Sequence, residues 1–346
     1  MNTFKVKEFA YRGAIENLSK ILTLENVKKA LVFTGKQSFE NINSLITKQF
    51  DMCDVMYFND FSTNPNDNDL VKAIKRIDFK YDIIISIGGG SVIDFSKAFK
   101  HQKKDKVKTI AIPTTCGTGS ESTQFAVLYK NNEKYSLDEP SLLPEYVILD
   151  SQFVENSPRY LKACTAMDAY CQGIESYWAK KATNTSKEYA IKCIILCRDN
   201  IVKYVNSTDI NSASNMMTAA NLSGKAINIS RTTASHALSY KFTTLYGIPH
   251  GHAVALTIPY LFDLNTKIEE LNLLKELITD NPINYFHELY NDIGLEYNFE
   301  KLHITDINKI IKGVNVERLK NNPINLTEKD LMKLLGVQTP EFYNTT

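Results

Sequence analysis

Through its first half the chain alternates short β-branched, apolar runs with amphipathic ones. KKALVFTG, DVMYFNDF, YDIIISIGGG, VKTIAIPTT and PEYVILD each predict a short strand. Between them, FENINSLITKQF and NDLVKAIKRIDF carry apolar residues at helical spacing. Alternating β and α predicts a parallel sheet with helices on both faces. After Asp150 the pattern changes. TSKEYAIKCIILCRDNIVKYV, ASNMMTAANLSGKAIN, IEELNLLKELI and INKIIKGV repeat apolar positions with helical period, and β-branched runs become rare. The expectation is an α/β, Rossmann-like domain over residues 1–155 followed by an all-α domain over 156–346, with the SPRY segment at Ser157–Tyr160 as the turn into the next helix. No internal repeat is visible.

Composition narrows the class without fixing the function. A chain of 346 residues with 43% apolar content can bury two ordinary cores. A net charge of +1 removes the electrostatic argument for nucleic acid or an anionic membrane as a partner. MNTFKVKEFAYRG has no apolar core of the kind a secretion signal needs, and no long apolar run follows, so a cytoplasmic protein is expected. The 6 cysteines form no C-x-x-C pair, which argues against a disulfide scaffold; Cys193 and Cys197 share one helical face and read as core thiols.

Two groups of residues carry chemistry. YDIIISI, GGGS and VIDFSKAFK form a strand, a glycine turn and a helix, an arrangement that lets backbone amides and a helix N-terminus meet a pyrophosphate. The turn is neither G-x-G-x-x-G nor a Walker loop. A second glycine loop, PTTCGTGSE, follows the strand TIAI, and two such loops at adjacent strand ends mark the crevice where doubly wound sheets bind nucleotides. After ALVF comes Thr34-Gly35-Lys36-Gln37-Ser38, with no acidic residue until Glu40. Lys36 and Ser38 could therefore meet a ribose 2′-phosphate, although a lysine there also reads as a solvated surface residue. The second group is Asp168, His236 and His250. A lone histidine is usually a satisfied core residue, but one carboxylate and two imidazoles make a common ligand set for a catalytic divalent metal with open positions. Nucleotide loops and a metal site in one chain point to hydride transfer to a metal-polarised carbonyl. Arg231 and Lys241 flank His236, either as partners of an anionic substrate or as plain surface charges.

The segments GGGSVIDFSKA, PTTCGTGSE, MDAYCQGIESYW and SHALSYKFTTLYGIPHGHAVALTIP, in this order over nearly the whole chain, closely resemble the iron-containing (group III) alcohol dehydrogenases, whose relatives include glycerol dehydrogenase and dehydroquinate synthase. The resemblance implies a dehydroquinate synthase-like fold and NADPH- or NADH-linked reduction of a small aldehyde to a primary alcohol. It implies a cofactor site at Gly35, Lys36, Ser38, Gly88, Gly89, Gly90, Ser91, Asp94, Thr114, Thr115 and Thr118. It implies metal ligation by Asp168, His236 and His250, with Gln172 at the fourth position, where the family has histidine. A glutamine carbonyl is a neutral, weaker ligand: Gln172 ligates, acts through water or supports Asp168, and Zn²⁺ becomes as arguable as Fe²⁺. Tyr240 stands where many relatives have a further histidine; Tyr240, His252 or the cofactor ribose with water are the candidate proton sources. SYKFTTLYGIPHGH is most similar to the branch that reduces phosphonoacetaldehyde to 2-hydroxyethylphosphonate, which implies an anionic aldehyde as substrate. The competing readings are a general short-chain alcohol dehydrogenase, a dehydroquinate synthase-like lyase and a nucleotide-binding regulator without catalytic metal. Asp168, where the lyase usually has Glu, and the PTTCGTGSE loop weigh against the lyase. The family analogy adds a homo-oligomer.

Overall fold

Parallel pairing buries a strand on both faces, which is why the apolar runs of the first half form one continuous sheet. A computed structural model of the chain describes residues 6–336 apart from 41, 131 and 132, and leaves out the side chains of 37, 38 and 133. The strands are β1 (Lys7–Ala10), β2 (Lys29–Thr34), β3 (Asp54–Phe58), β4 (Ile83–Gly88), β5 (Lys108–Pro113), β6 (Phe125–Lys130), β7 (Glu133–Asp138) and β8 (Tyr146–Leu149). Six of them form a parallel sheet in the order β1-β8-β5-β4-β2-β3, with Val32 opposite Ile85 and Ile85 opposite Ile110. Alternate side chains enter two separate cores. Val32, Ile85 and Ile110 pack with Leu18, Ile21 and Leu22 of the Asn17–Leu24 helix. Leu31, Phe33 and Ile84 pack with Leu70 of the Asp67–Arg76 helix and with Phe95 and Phe99 of the Gly90–Lys103 helix.

All five strands expected from the sequence are present. Three others were not expected. β1 is a short edge strand that is mostly exposed, and β6 with β7 forms a separate antiparallel hairpin. The FENINSLITKQF segment is not one helix but short pieces, Lys36–Glu40, Asn43–Thr47 and a 3-10 turn at Lys48–Phe50. Its asparagines are poor helix formers, because their side chains compete for backbone hydrogen bonds.

The chain folds as two units. The first holds the chain up to Ser157 together with Thr208–Gly224; the second holds Pro158–Ser207 and the chain from Lys225 onward. The dividing point therefore falls within the helix Ile210–Ser230. In the first unit this helix meets the second glycine loop backbone to backbone: a Cβ on Gly224 would lie 2.2 Å from the Gly119 carbonyl oxygen, and Gly119 has φ of +59°. Only glycine fits at both positions. The second unit is helical. Its long members are Arg159–Trp178, Asn184–Asn206, Ala234–Tyr246 and Pro282–Ile293, and shorter helices include His250–Ala255, Ile307–Lys312 and Val316–Lys320. All six cysteines are free, and every one except Cys53 is buried. No helix among the described residues is long and apolar enough to cross a membrane.

Candidate active site

The first unit assembles the nucleotide elements. β4 lies between β2 and β5, so the chain's course through the sheet reverses between β2 and β4 and opens a crevice at their carboxyl ends. Gly88 ends β4, Gly89 takes extended backbone, and the helix starts at Gly90 without a side-chain cap. An uncapped helix start of this kind suits an anionic ligand. The second loop closes over this turn. The Thr114 amide donates to the Gly88 carbonyl at 3.1 Å. A Cβ on Gly89 would lie 3.3 Å from Thr115 Oγ1, and one on Gly90 would lie 2.7 Å from Thr118 Oγ1. Ser91, Thr115 and Thr118 are half-buried, and the hydroxyls of Thr34 and Thr114 are buried without a hydrogen-bond partner. Unpaired hydroxyls at neighbouring strand ends fit a polar ligand lying across them.

Asp94 behaves differently from these residues. Its carboxylate accepts from Ser120 Oγ and, at 3.0 Å, from the Val127 amide. One turn later, the buried Lys97 ammonium donates to the carbonyls of Ser120, Thr123 and Phe125, and burial lowers its pKa to about 8. Both side chains tie the second loop and β6 to the Gly90–Lys103 helix. Gly35 and Lys36 follow β2, with Lys36 exposed; the Ser38 side chain lies outside the described residues.

The second unit assembles the metal set. Asp168, Gln172 and Glu175 lie on successive turns of the Arg159–Trp178 helix, which is buried over most of its length. His236 sits in the first turn of Ala234–Tyr246, and His250 opens the short helix His250–Ala255. The approach of that helix depends on Gly251, where a Cβ would lie 1.9 Å from the Cys164 carbonyl oxygen and 2.9 Å from Asp168 Cβ. Asp168 Oδ1 is 3.3 Å from His236 Nε2 and 3.9 Å from His250 Nε2. One ligand atom from each of the three lies within 4.8 Å of the others. Asp168 Oδ1 and His236 Nε2 are buried with no hydrogen-bond partner, an arrangement costly in itself and suited to a shared cation. Residue types, spacing and unpaired atoms all fit a divalent metal.

Glu175 was not legible in the sequence. It is fully buried, and its Oε2 bonds His236 Nδ1, which directs Nε2 at Asp168. Its Oε1 accepts from Thr233 Oγ1 at 2.7 Å and from the Ser235 amide at 2.8 Å, so the same carboxylate caps the His236 helix. Burial acts to raise the Glu175 pKa, but His236 and these donors outweigh it and hold the pKa below the usual value. Burial likewise acts to raise Asp168, and His250, His236 and Gln172 bring it down. For His236, burial acts to lower the pKa, and the carboxylates of Glu175 and Asp168 raise it instead.

The remaining candidates divide into those beside the trio and those held elsewhere. Gln172 is buried and hydrogen-bonds Asp168. The Tyr240 ring stacks on His250, with centroids 6.2 Å apart and an angle of 18°. His252 uses both ring nitrogens: Nε2 donates to the Glu296 carbonyl at 2.6 Å, which leaves Nδ1 to accept from the Tyr160 hydroxyl at 2.9 Å. Burial lowers its pKa, consistent with a neutral ring. Arg231 ends its helix in the left-handed region, φ +64°, with Nη1 donating to the Asn228 carbonyl, and Lys241 packs its methylenes over Gly313.

Because Glu175 fixes the tautomer and direction of His236, Glu175→Gln is expected to weaken divalent-metal affinity roughly 10–100-fold while the helical circular dichroism stays unchanged. A competition titration with a chromogenic chelator reads this directly. Unchanged affinity would mean that Glu175 serves only as a helix cap.

Residues 7–151 match the family described as iron-containing alcohol dehydrogenase, and residues 162–338 match the C-terminal region of the Fe-containing alcohol dehydrogenase family. The chain is 32% identical over 210 residues to the NADPH-dependent butanol dehydrogenase of Clostridium saccharobutylicum, covering 55% of this chain and 54% of that protein. It is 29% identical over 229 residues to the phosphonoacetaldehyde reductase of Streptomyces viridochromogenes, covering 58% of each. These alignments thus span little more than half the length of those relatives. Among solved structures, sulfoacetaldehyde reductase from Bifidobacterium kashiwanohense in complex with NAD+ superposes with a TM-score of 0.89 at 24% identity, over 97% of both chains. That likeness confirms the fold, a Rossmann-like parallel-sheet domain followed by a helical one. With the two family matches together spanning nearly the whole sequence, the chain belongs to the iron-containing alcohol dehydrogenases.

Proposed function

We propose that the chain carries out metal-dependent, NAD(P)H-linked reduction of a small aldehyde to a primary alcohol, with phosphonoacetaldehyde, converted to 2-hydroxyethylphosphonate, as its substrate. One observation carries the reading: Asp168 Oδ1 and His236 Nε2, buried without a hydrogen-bond partner, converge with His250 in a chain that also has a glycine turn at an uncapped helix start. Asp168, His236 and His250 would hold Fe²⁺ or Zn²⁺, which when bound supplies Lewis-acid polarisation of a carbonyl oxygen, and the nicotinamide supplies the hydride. Glu175 keeps the His236 imidazole aimed at the site, and Gln172 supports Asp168. Tyr240, stacked on His250, is the better placed of the two side-chain proton candidates, since both nitrogens of His252 are already engaged. Gly88 to Ser91, Thr114, Thr115 and Thr118 would cradle the cofactor, and Asp94 would hold the second loop in place. The phosphonate assignment draws on the SYKFTTLYGIPHGH segment. It also draws on similarity to two enzymes named for acetaldehydes with an anionic head, one acting on phosphonoacetaldehyde and one on sulfoacetaldehyde.

If the trio holds the metal, His250→Ala should lose bound metal and turnover together, the latter by at least about a hundredfold. The check is metal analysis of purified protein beside NAD(P)H oxidation with a panel of small aldehydes. Full activity from a metal-free His250→Ala protein would refute the reading.

NADPH should be accepted at least as well as NADH. No acidic residue follows β2 before Glu40, so nothing there repels a 2′-phosphate, and Lys36 is exposed and able to pair with it. Lys36→Ala should raise the KM for NADPH more than that for NADH. Equal effects on both, or a strong preference for NADH in the parent, would contradict this assignment.

A further inference from the structure

The strongest unexplained charge near the metal set is Arg318, far from it in sequence. Its guanidinium lies over the Tyr240 ring, 5.4 Å from the centroid, and that ring also stacks on His250. Nη1 donates to Thr232 Oγ1, in the segment that leads into the His236 helix. The short helix that carries Arg318 is fixed at both ends. Asn315 Oδ1 accepts from the Arg318 amide at 3.0 Å, and Asn321 Nδ2 donates to the carbonyls of Ser230 and Thr232 at 2.9 and 3.0 Å. The guanidinium is thus placed by backbone anchors rather than left to float.

No carboxylate pairs with Arg318 among the described residues, whereas Arg12, Arg76 and Arg198 each have one. Arg318 is also half-buried. A guanidinium has five N–H donors in a planar fork, and one hydroxyl acceptor with one aromatic face leaves most of that capacity unused. Partial burial raises the cost of leaving the charge unmatched. A tetrahedral oxyanion presents paired acceptor oxygens at the spacing of the fork. Of the two cations suggested by the sequence, Arg231 is turned to a carbonyl of its own helix and Lys241 lies along Gly313, so neither shows the open fork of Arg318.

We infer that Arg318 binds the tetrahedral anionic head, phosphonate or sulfonate, of an aldehyde whose carbonyl lies at the Asp168–His236–His250 set, and so determines the preference for anionic over neutral substrates. The inference rests on the aldehyde reductase reading proposed above. Lys, with a single ammonium and no fork, should replace Arg318 only in part.

The test compares the parent enzyme with Arg318→Met, Arg318→Gln and Arg318→Lys, each loaded with metal and its metal content measured. The kcat/KM values are taken for phosphonoacetaldehyde, sulfoacetaldehyde and propanal, and methylphosphonate is tested as an inhibitor of propanal reduction. Arg318→Met should lower kcat/KM for the preferred anionic aldehyde by about tenfold or more, mainly through KM, and raise the methylphosphonate Ki by a similar factor. Propanal turnover should stay within about twofold, and Arg318→Lys should fall between the two proteins. The larger loss between the two anionic aldehydes identifies the head group. If the parent prefers anionic aldehydes and Arg318→Met keeps that preference, the inference fails and the proposed function stands. If the parent reduces propanal as efficiently and methylphosphonate does not compete, both the inference and the anionic substrate fail. Loss of propanal turnover in both Met and Gln variants would make Arg318 a prop for Tyr240 and overturn the inference.

Discussion

The second unit is organised around a buried carboxylate that performs two tasks. Glu175 has no exposure to solvent, so its charge must be met within the protein. It is met by the start of the His236 helix on one oxygen and by the His236 imidazole on the other. A single side chain thus fixes where that helix begins and which way its histidine points. A carboxylate behind a ligating imidazole also raises its basicity and selects the tautomer that leaves Nε2 for the metal. Gly251 supplies the complementary constraint, since only a residue without Cβ allows the His250 helix to lie against the Cys164 carbonyl. Direction comes from Glu175, and proximity comes from Gly251.

The first unit solves its problem by a different route. A cofactor site needs a glycine turn that stays open and a second loop that stays close. Side chains are excluded at Gly89 and Gly90 because Thr115 and Thr118 of the second loop occupy that space, and at Gly88 because Val92 does. The loop is held by Asp94 and Lys97 on the Gly90–Lys103 helix and by its backbone contact with Gly224. Buried ionised groups are expensive unless fully hydrogen-bonded, and here the bonds of Lys97 all end on one loop and the strand it leads into. The charge is therefore used to define a conformation.

How much of this was legible depended on the range of the interaction. The central strands were readable because double burial makes them continuous apolar runs, as in YDIIISI. β1 was not, since a short edge strand with exposed side chains carries no such signal, and the β6–β7 hairpin is only half-buried. The trio Asp168, His236 and His250 was readable because ligand chemistry is carried by residue type. Glu175 could have been noticed as a carboxylate on the face of the helix that carries Asp168 and Gln172, but nothing local pairs it with His236. Arg318 gave no signal, because its relation to Tyr240 exists only once the chain has folded. Conversely, His252 looked like a proton donor beside His250, and folding engages both its nitrogens with Tyr160 and Glu296.

One carboxylate and two imidazoles are proposed as the metal-binding set. X-ray absorption spectroscopy on the protein loaded with a single equivalent of Zn²⁺ or Fe²⁺ tests it most directly, because scattering from imidazole rings and from sulfur is distinguishable. Two imidazoles are expected, the remaining donors oxygen, at roughly 2.0–2.2 Å, and no sulfur. A spectrum that requires a thiolate from the neighbouring Cys164 or Cys171, or that fits with one imidazole or none, would contradict it.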